Sequence, residues 1–129
     1  MVYKILLVDD DKDMTDSLNS ALTRHGYEVG IANDGEEALI KVGLENPDIV
    51  ILDLMLPKLN GFDVLKSIRS RQNKKWCPII IVSAKAELEA MKQCYTLEAD
   101  HYLTKPCTLD DILRGIETMI SLIPLRVGN

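Results

Sequence analysis

The sequence is short of cysteine, of surplus positive charge and of long apolar runs, and each shortage excludes a class of protein. Its three cysteines, Cys77, Cys94 and Cys107, are odd in number and lack C-x-x-C spacing, which predicts reduced thiols rather than a disulfide framework or a zinc site. The net charge of -5 leaves no excess of cations to neutralise phosphates, which argues against direct nucleic-acid binding. No apolar run approaches the ~18 residues of a membrane span. A strand predicted from residue 4 leaves no room for a signal peptide, so we expect a cytoplasmic protein.

The apolar residues of this 129-residue chain follow two alternating patterns, which predict strands and helices in succession. Short runs of Ile, Val and Leu predict buried strands, and between them apolar residues recur at helical spacing. This order predicts one α/β domain, a doubly wound three-layer sandwich with helices on both faces of a five-stranded parallel sheet. Strands are predicted over 4–8, 27–32, 49–53, 78–83 and 101–104, and helices over 14–22, 36–42, 62–68, 84–95 and 108–120.

The domain is expected to occupy residues 1–122. Gly43, or at the latest Pro47, is predicted to end the second helix, and Pro124 to end the last one. Residues 123–129 then form a C-terminal tail, or the start of a linker to an output domain. The early first strand predicts that the domain is N-terminal in its polypeptide.

Polar side chains follow four of the predicted strands. The apolar run from Ile49 ends in Asp53, which on that run alone is as consistent with a loop cap as with an active site. Carboxyl ends of parallel strands meet at one edge of a sheet, where carboxylates would repel one another unless a cation such as Mg²⁺ or Mn²⁺ lies among them. An ammonium and a hydroxyl there suit the oxygens of a phosphoryl group, and Asp53 becomes a candidate nucleophile. The other residues at strand ends are Asp9, Asp10, Ser83 and Lys105.

Four motifs in this order resemble the receiver domain of two-component response regulators over essentially the whole chain. They are LLVDD at 6–10, DLMLPKLNG at 53–61, VSA at 82–84 and YLTKP at 102–106. The resemblance implies a flavodoxin-like (βα)₅ fold with strand order 2-1-3-4-5. It also implies that Asp53 accepts a phosphoryl group from a sensor histidine kinase or phosphotransfer protein, and that the domain is a switch rather than an enzyme.

The resemblance further implies a divalent-cation site and a switch. Asp10, Asp53 and the Met55 backbone carbonyl would bind Mg²⁺, with Asp9 acting through water. The resemblance assigns the remaining roles to three side chains: Lys105 pairs with the acyl phosphate, Ser83 hydrogen-bonds its oxygen, and Tyr102 turns inward when Ser83 is drawn toward the phosphate. The surface formed by the fourth helix, the fifth strand and the fifth helix would then bind a downstream target or a fused output domain.

The chain departs from the family pattern at several positions. Glu98 stands where glycine is common, which predicts a non-glycine residue at positive φ at a cost of about 1 kcal/mol, or else a different turn. Cys107 replaces a common phenylalanine, so one packing contact is smaller. Met91 and Gly115 stand where family dimers carry cations, so we expect a monomer or a weak phosphorylation-dependent dimer. Met55 and Lys85, which flank the phosphate in this family, are neither carboxylate nor amide and predict slow self-dephosphorylation.

The principal alternative is an aspartyl-phosphate hydrolase of the haloacid-dehalogenase type, which Asp9-x-Asp11 resembles. Two features argue against this alternative: the sequence has no cap insertion, and it has no paired acidic residues on a late strand. Asp11 and Asp13 are predicted to be helix N-terminal charges, and the basic segment 69–76 a solvated loop face.

Overall fold

The computed structural model describes residues 2–71 and 76–127. Within these ranges five strands alternate with five helices, as the apolar pattern predicts. None of the helices in this part of the chain is both long and apolar enough to cross a membrane. The elements are β1 Lys4–Val8, α1 Lys12–Arg24, β2 Glu28–Ala32, α2 Gly35–Glu45, β3 Ile49–Leu52, α3 Gly61–Ser70, β4 Ile79–Ser83, α4 Leu88–Thr96, β5 His101–Thr104 and α5 Leu109–Val127.

The five strands form one parallel sheet in the order β2-β1-β3-β4-β5, which confirms the flavodoxin-like order. β3 and β4 are buried along their whole length because helices cover both faces of the sheet. Successive side chains of a strand point to opposite faces, so the apolar runs supply two cores. Leu6 and Val50 belong to one core and Ile5 and Ile49 to the other. All five strands deliver their carboxyl ends to the same edge.

Two predicted helix boundaries were wrong, and a third was correct within its stated limits. α2 continues through Gly43 to Glu45 and so ends before Pro47, as predicted; its C-cap, Asn46, adopts the left-handed conformation with φ 49°. α4 begins at Leu88 rather than at residue 84, because the backbone of Lys85 forms hydrogen bonds outside the helix. Its N–H donates to the Ser83 hydroxyl, and its carbonyl accepts from the Tyr102 hydroxyl. α5 continues past Pro124 to Val127, since a proline removes one main-chain hydrogen bond without stopping its neighbours from forming theirs.

Two helix starts follow the predicted chemistry. The Asp11 side chain caps α1 by accepting from the Met14 N–H, and Asp13 lies in the first turn. At the start of α5, Thr108 and Asp111 exchange hydrogen bonds, each side chain accepting from the other's backbone N–H. This reciprocal capping fixes α5 directly after the last strand.

The prediction of a solvated basic face over 69–76 was wrong for Arg69. Its side chain is only 14% exposed and forms an ion pair with Asp100 at 2.5 Å. It also donates Nη1 to the Cys77 carbonyl at 2.7 Å and Nε to the Glu98 carbonyl at 2.9 Å, so it ties α3 to the chain entering β4 and β5. Glu98 has φ 69°, which confirms the predicted positive φ. Residues 72–75 of that segment lie outside the described residues.

Candidate functional site

The carboxyl ends of β1, β3 and β5 bring Asp9, Asp53 and Lys105 into direct contact. β1 and β3 pair in register with Val8 opposite Leu52, and the Asp53 N–H donates to the Val8 carbonyl at 2.9 Å. This register sets Asp9 and Asp53 side by side. Lys105 Nζ lies 2.9 Å from Asp9 Oδ2 and 3.1 Å from Asp53 Oδ2.

Both bridged carboxylates are nearly buried, with 5% of Asp9 and 6% of Asp53 exposed. Burial is the largest single influence on the pKa of Lys105, and it lowers that pKa by disfavouring the charged ammonium. The hydrogen bonds and Coulomb attraction from Asp9 and Asp53 together outweigh the effect of burial, so the pKa of Lys105 is raised overall. The ammonium therefore stays charged at neutral pH and holds two carboxylates that would otherwise repel each other.

Backbone N–H groups orient the other oxygens of these carboxylates. Asp9 Oδ1 accepts from the Asp11 N–H at 2.9 Å, and Asp53 Oδ1 accepts from the Met55 N–H at 3.1 Å. The second bond folds the chain sharply after β3. The turn is closed by Gly61, whose N–H donates to the Leu54 carbonyl at 2.9 Å. Asp53 is thus held by β3, by its own following loop and by Lys105.

The third carboxylate, Asp10, is exposed at the mouth of the site. One oxygen of each of Asp9, Asp10 and Asp53 lies within 4.8 Å of the others. This donor set consists of hard oxygen atoms, the ligands that Mg²⁺ and Mn²⁺ prefer. The three carboxylates of the predicted metal site therefore lie close together, and their chemistry fits such an ion.

Ser83 and Tyr102 lie on the neighbouring strands β4 and β5, where Ile81 is opposite Tyr102 in the parallel register. Ser83 is fully buried, and its hydroxyl accepts from the Lys85 N–H at 3.3 Å. Tyr102 is 7% exposed, and its hydroxyl donates to the Lys85 carbonyl at 2.5 Å. Burial raises the pKa of this hydroxyl. The aromatic ring thus already lies inward in this structure, and Lys85 joins both predicted switch residues through its backbone.

The surface of α4 is partly apolar. Leu88 is 64% and Tyr95 50% exposed, whereas Met91 packs against the core. On the other side of β5, His101 covers Gly115, where an added Cβ would lie 3.3 Å from the imidazole. Leu88 and Tyr95 therefore leave apolar side chains exposed on α4.

Sequence reasoning missed Asp34, Gly35 and Lys58. The segment Asn33-Asp34-Gly35 falls between the predicted second strand and second helix and was given no role, yet it contacts the loop that follows Asp53. The available signal was a glycine at the first position of a helix, where no turn requires one. The contact partner is distant in sequence and could not be inferred.

A parallel doubly wound sheet with an acidic, lysine-bridged site at its carboxyl edge defines a flavodoxin-like protein of the CheY type. A family model for the response regulator receiver domain matches residues 5–117. The chain belongs to that family: it is a receiver domain of two-component response regulators, and the match does not support the haloacid-dehalogenase alternative.

Several curated proteins are similar over this length. The alkaline phosphatase synthesis transcriptional regulatory protein PhoP of Bacillus subtilis is 47% identical over 120 residues, which is 93% of this chain and 49% of that protein. The response regulator MprA of Mycobacterium leprae is 37% identical over 117 residues, covering 91% of this chain and 50% of that protein. The chain thus spans about half the length of the curated relatives it matches.

Solved structures agree with the fold. The receiver domain of the Francisella response regulator 1452 superposes with a TM-score of 0.85 at 32% identity, covering 92% of this chain and 97% of that one. A CheY-like receiver domain protein from Methanospirillum hungatei gives a TM-score of 0.85 at 32% identity, covering 94% of this chain and 96% of that one.

Proposed function

We propose that this receiver domain accepts a phosphoryl group on Asp53 and that the modification switches a binding surface. The observation that carries the proposal is the contact of the buried Asp53 carboxylate with Lys105, 3.1 Å away. A charged carboxylate held in one orientation is a prepared nucleophile. In the transfer, an oxygen of Asp53 attacks the phosphorus of a phosphohistidine. The phosphorus–nitrogen bond breaks, and its electron pair, followed by a proton, goes to the imidazole.

The acidic cluster supports a divalent-cation site. Asp10, Asp53 and the Met55 backbone carbonyl would hold Mg²⁺, with Asp9 acting through water, and Mn²⁺ would fit the same oxygen donors. When bound, the ion supplies positive charge that offsets the carboxylates and the incoming phosphoryl oxygens. The chain's own contribution is to hold Asp9 and Asp53 in place through backbone N–H bonds.

Lys105 and Ser83 supply the remaining contacts to a phosphoryl group on Asp53. The Lys105 ammonium already contacts Asp53 Oδ2. A phosphoryl group on Asp53 would be attached to this oxygen or would lie beside it. Its charge is retained through the transfer because its pKa is raised. The Ser83 hydroxyl, which lies at the end of β4, donates to a phosphoryl oxygen when it turns toward the site.

Lys85 offers a physical route from the site to the surface. A shift of Ser83 toward the phosphate alters the β4–α4 loop, because the Lys85 N–H bonds to that hydroxyl. The Lys85 carbonyl accepts a hydrogen bond from the Tyr102 hydroxyl, so a movement of this loop also displaces the Tyr102 ring. The equilibrium between two arrangements of the α4–β5–α5 surface then shifts with phosphorylation.

The expected partners follow from the family and from the length of its members. Upstream is a sensor histidine kinase or a phosphotransfer protein, and downstream is a protein target or a fused output domain. We propose that the domain acts in the cytoplasm as a monomer or a weak phosphorylation-dependent dimer.

The phosphoryl group is proposed to be lost slowly. Met55, which is 56% exposed, and Lys85 line the same cleft as Asp10. Neither side chain carries a carboxylate or an amide that could orient an attacking water. Loss of the label within seconds in Mg²⁺ would contradict this proposal.

The direct test is incubation with a small phosphodonor and Mg²⁺, followed by intact-mass measurement. We expect at most one phosphoryl group per chain, lost in Asp53→Asn and after chelation of the metal. Asp63→Asn is the matched control, because Asp63 is an exposed carboxylate in the first turn of α3 and should label normally. Multiple turnover of the donor that Asp53→Asn leaves unchanged would indicate a hydrolase and contradict the proposal.

A further inference from the structure

The loop that joins β3 to α3, residues 53–60, rests against the N-terminus of α2. The Gly35 N–H points to the Pro57 carbonyl at 3.4 Å. A Cβ placed on Gly35 would lie 2.0 Å from the Leu59 carbonyl oxygen and 2.6 Å from the Leu59 Cβ. The backbone of Gly35 does not have positive φ, so glycine is needed here for space and not for conformation.

An ion pair fastens the same contact. Lys58 Nζ lies 3.4 Å from Asp34 Oδ2, while Asp34 Oδ1 caps α2 by accepting from the Glu37 N–H at 2.8 Å. One carboxylate therefore serves both the helix and the loop. Lys58 has φ 67°, an unfavourable conformation for a residue with a side chain. Such strain persists where surrounding contacts determine the backbone.

The other attachment of the loop lies at its end. The Gly61 N–H donates to the Leu54 carbonyl, and the Asn60 side chain caps α3 by accepting from the Asp63 N–H at 3.0 Å. Between these fixed points, Pro57, Lys58 and Leu59 contact α2. Met55, whose N–H orients Asp53, lies two residues before this contact.

We propose that Gly35, together with the Asp34–Lys58 ion pair, positions the β3–α3 loop for divalent-cation binding. This inference rests on the proposed function, because it assigns Asp53 and the Met55 carbonyl to the cation. The α2 N-terminus holds the loop in the bound arrangement before the ion arrives, so that little rearrangement opposes binding. Gly35 is a positioning residue and does not touch the ion.

Gly35→Ala tests the close approach. Real Cβ atoms keep at least 3.0 Å from such neighbours, so the Leu59 carbonyl would have to retreat by about 1 Å. Gly43→Ala is a matched control in the same helix, because a Cβ there meets only an Arg71 side-chain nitrogen at 3.5 Å. We expect the Mg²⁺ dissociation constant, measured by titration calorimetry without phosphodonor, to rise at least tenfold in Gly35→Ala. In Gly43→Ala it should change less than twofold.

Labelling kinetics separate positioning from general damage. In Gly35→Ala the Mg²⁺ concentration for half-maximal labelling should rise by the same factor as the dissociation constant. The labelling rate at saturating Mg²⁺ should stay within about twofold of the unsubstituted protein, because the ion then draws the loop into place. A fall in the saturated rate with an unchanged dissociation constant would overturn the inference.

Lys58→Asn tests the ion pair separately and decides the matter if Gly35→Ala fails to fold by circular dichroism. Asparagine tolerates positive φ but carries no cation. Since Lys58 is 59% exposed, we expect only a two- to fivefold weaker Mg²⁺ affinity. Unchanged affinity in Lys58→Asn and in any folded Gly35→Ala would overturn this inference alone. Normal Mg²⁺ binding without Asp53-dependent labelling would overturn the proposed function alone. No Mg²⁺ binding by the unsubstituted protein would overturn both.

Discussion

Arg69 provides a stability prediction that is independent of any phosphorylation chemistry. Arg69→Met keeps the aliphatic stem and removes the guanidinium, which contacts Asp100, Cys77 and Glu98. A hydrogen bond to a charged group contributes about 1.5–3 kcal/mol, and breaking a buried ion pair costs about 3–5 kcal/mol. These bonds share one side chain and are lost together. Because Arg69 is 14% and Asp100 17% exposed, water recovers part of the loss. We expect a net cost of about 3 kcal/mol.

Urea unfolding at equilibrium measures this cost. A loss of about 3 kcal/mol is a large share of the roughly 5–15 kcal/mol typical of a domain, and should lower the melting temperature by about 10 °C. The dependence on urea should be unchanged, because the surface exposed on unfolding is the same. Arg71→Met is the matched control: it removes one bond, from Nη2 to the Leu39 carbonyl at 3.2 Å, and should cost under about 1 kcal/mol. If both variants lost the same small amount of unfolding free energy, the reasoning would be refuted, and Arg69 would behave as a solvated surface residue.

Three further predictions concern other parts of the chain. The backbone and side-chain hydrogen bonds with Thr108 lower the pKa of Asp111 below its ordinary 3.8. The ionised Asp111 therefore stabilises the fold above pH 3.8, and this stabilisation is lost as the pH falls through the pKa of the folded state. An NMR titration should show the low pKa, and Asp111→Asn should weaken the dependence of stability on pH in this acid range. Glu98→Gly should stabilise the protein by about 0.5–1 kcal/mol in urea unfolding, since glycine removes the penalty of φ 69°, whereas Glu98→Ala should give no gain. A thiol reagent at neutral pH should modify Cys107 well before Cys94, because Cys94 is fully buried and burial raises its pKa to about 11; equal rates by mass spectrometry would contradict the buried position.

The fold could be read from the sequence because the strands are unusually simple. The run 79–82 of β4, for example, is apolar throughout, and a parallel sheet covered on both faces buries such a run. Asp53 and Lys105 could be assigned to one site for a related reason. Parallel strands place all their carboxyl ends at one edge, so a polar residue directly after each strand has a known destination.

The features that the sequence did not predict depend on tertiary contacts. The start of α4 at Leu88 follows from backbone bonds of Lys85 to side chains on two strands, which local helix propensity does not register. Arg69 looked like one more cation in a basic segment, yet its partner Asp100 is 31 residues away. The inward position of Tyr102 and the fit of Gly35 against Leu59 are likewise decided by packing.

The Lys105 bridge also has a consequence for how the chain folds. Its ion pair with Asp9 spans 96 residues and that with Asp53 spans 52, so the site joins the first, third and fifth strands. Contacts so distant in sequence form late, after the loop-closure entropy of the intervening chain has been overcome. A nascent or truncated chain that ends before β5 would have Asp9 and Asp53 without the Lys105 ammonium, and the two carboxylates would repel each other. A ligand that binds only the complete fold would protect that fold from unfolding.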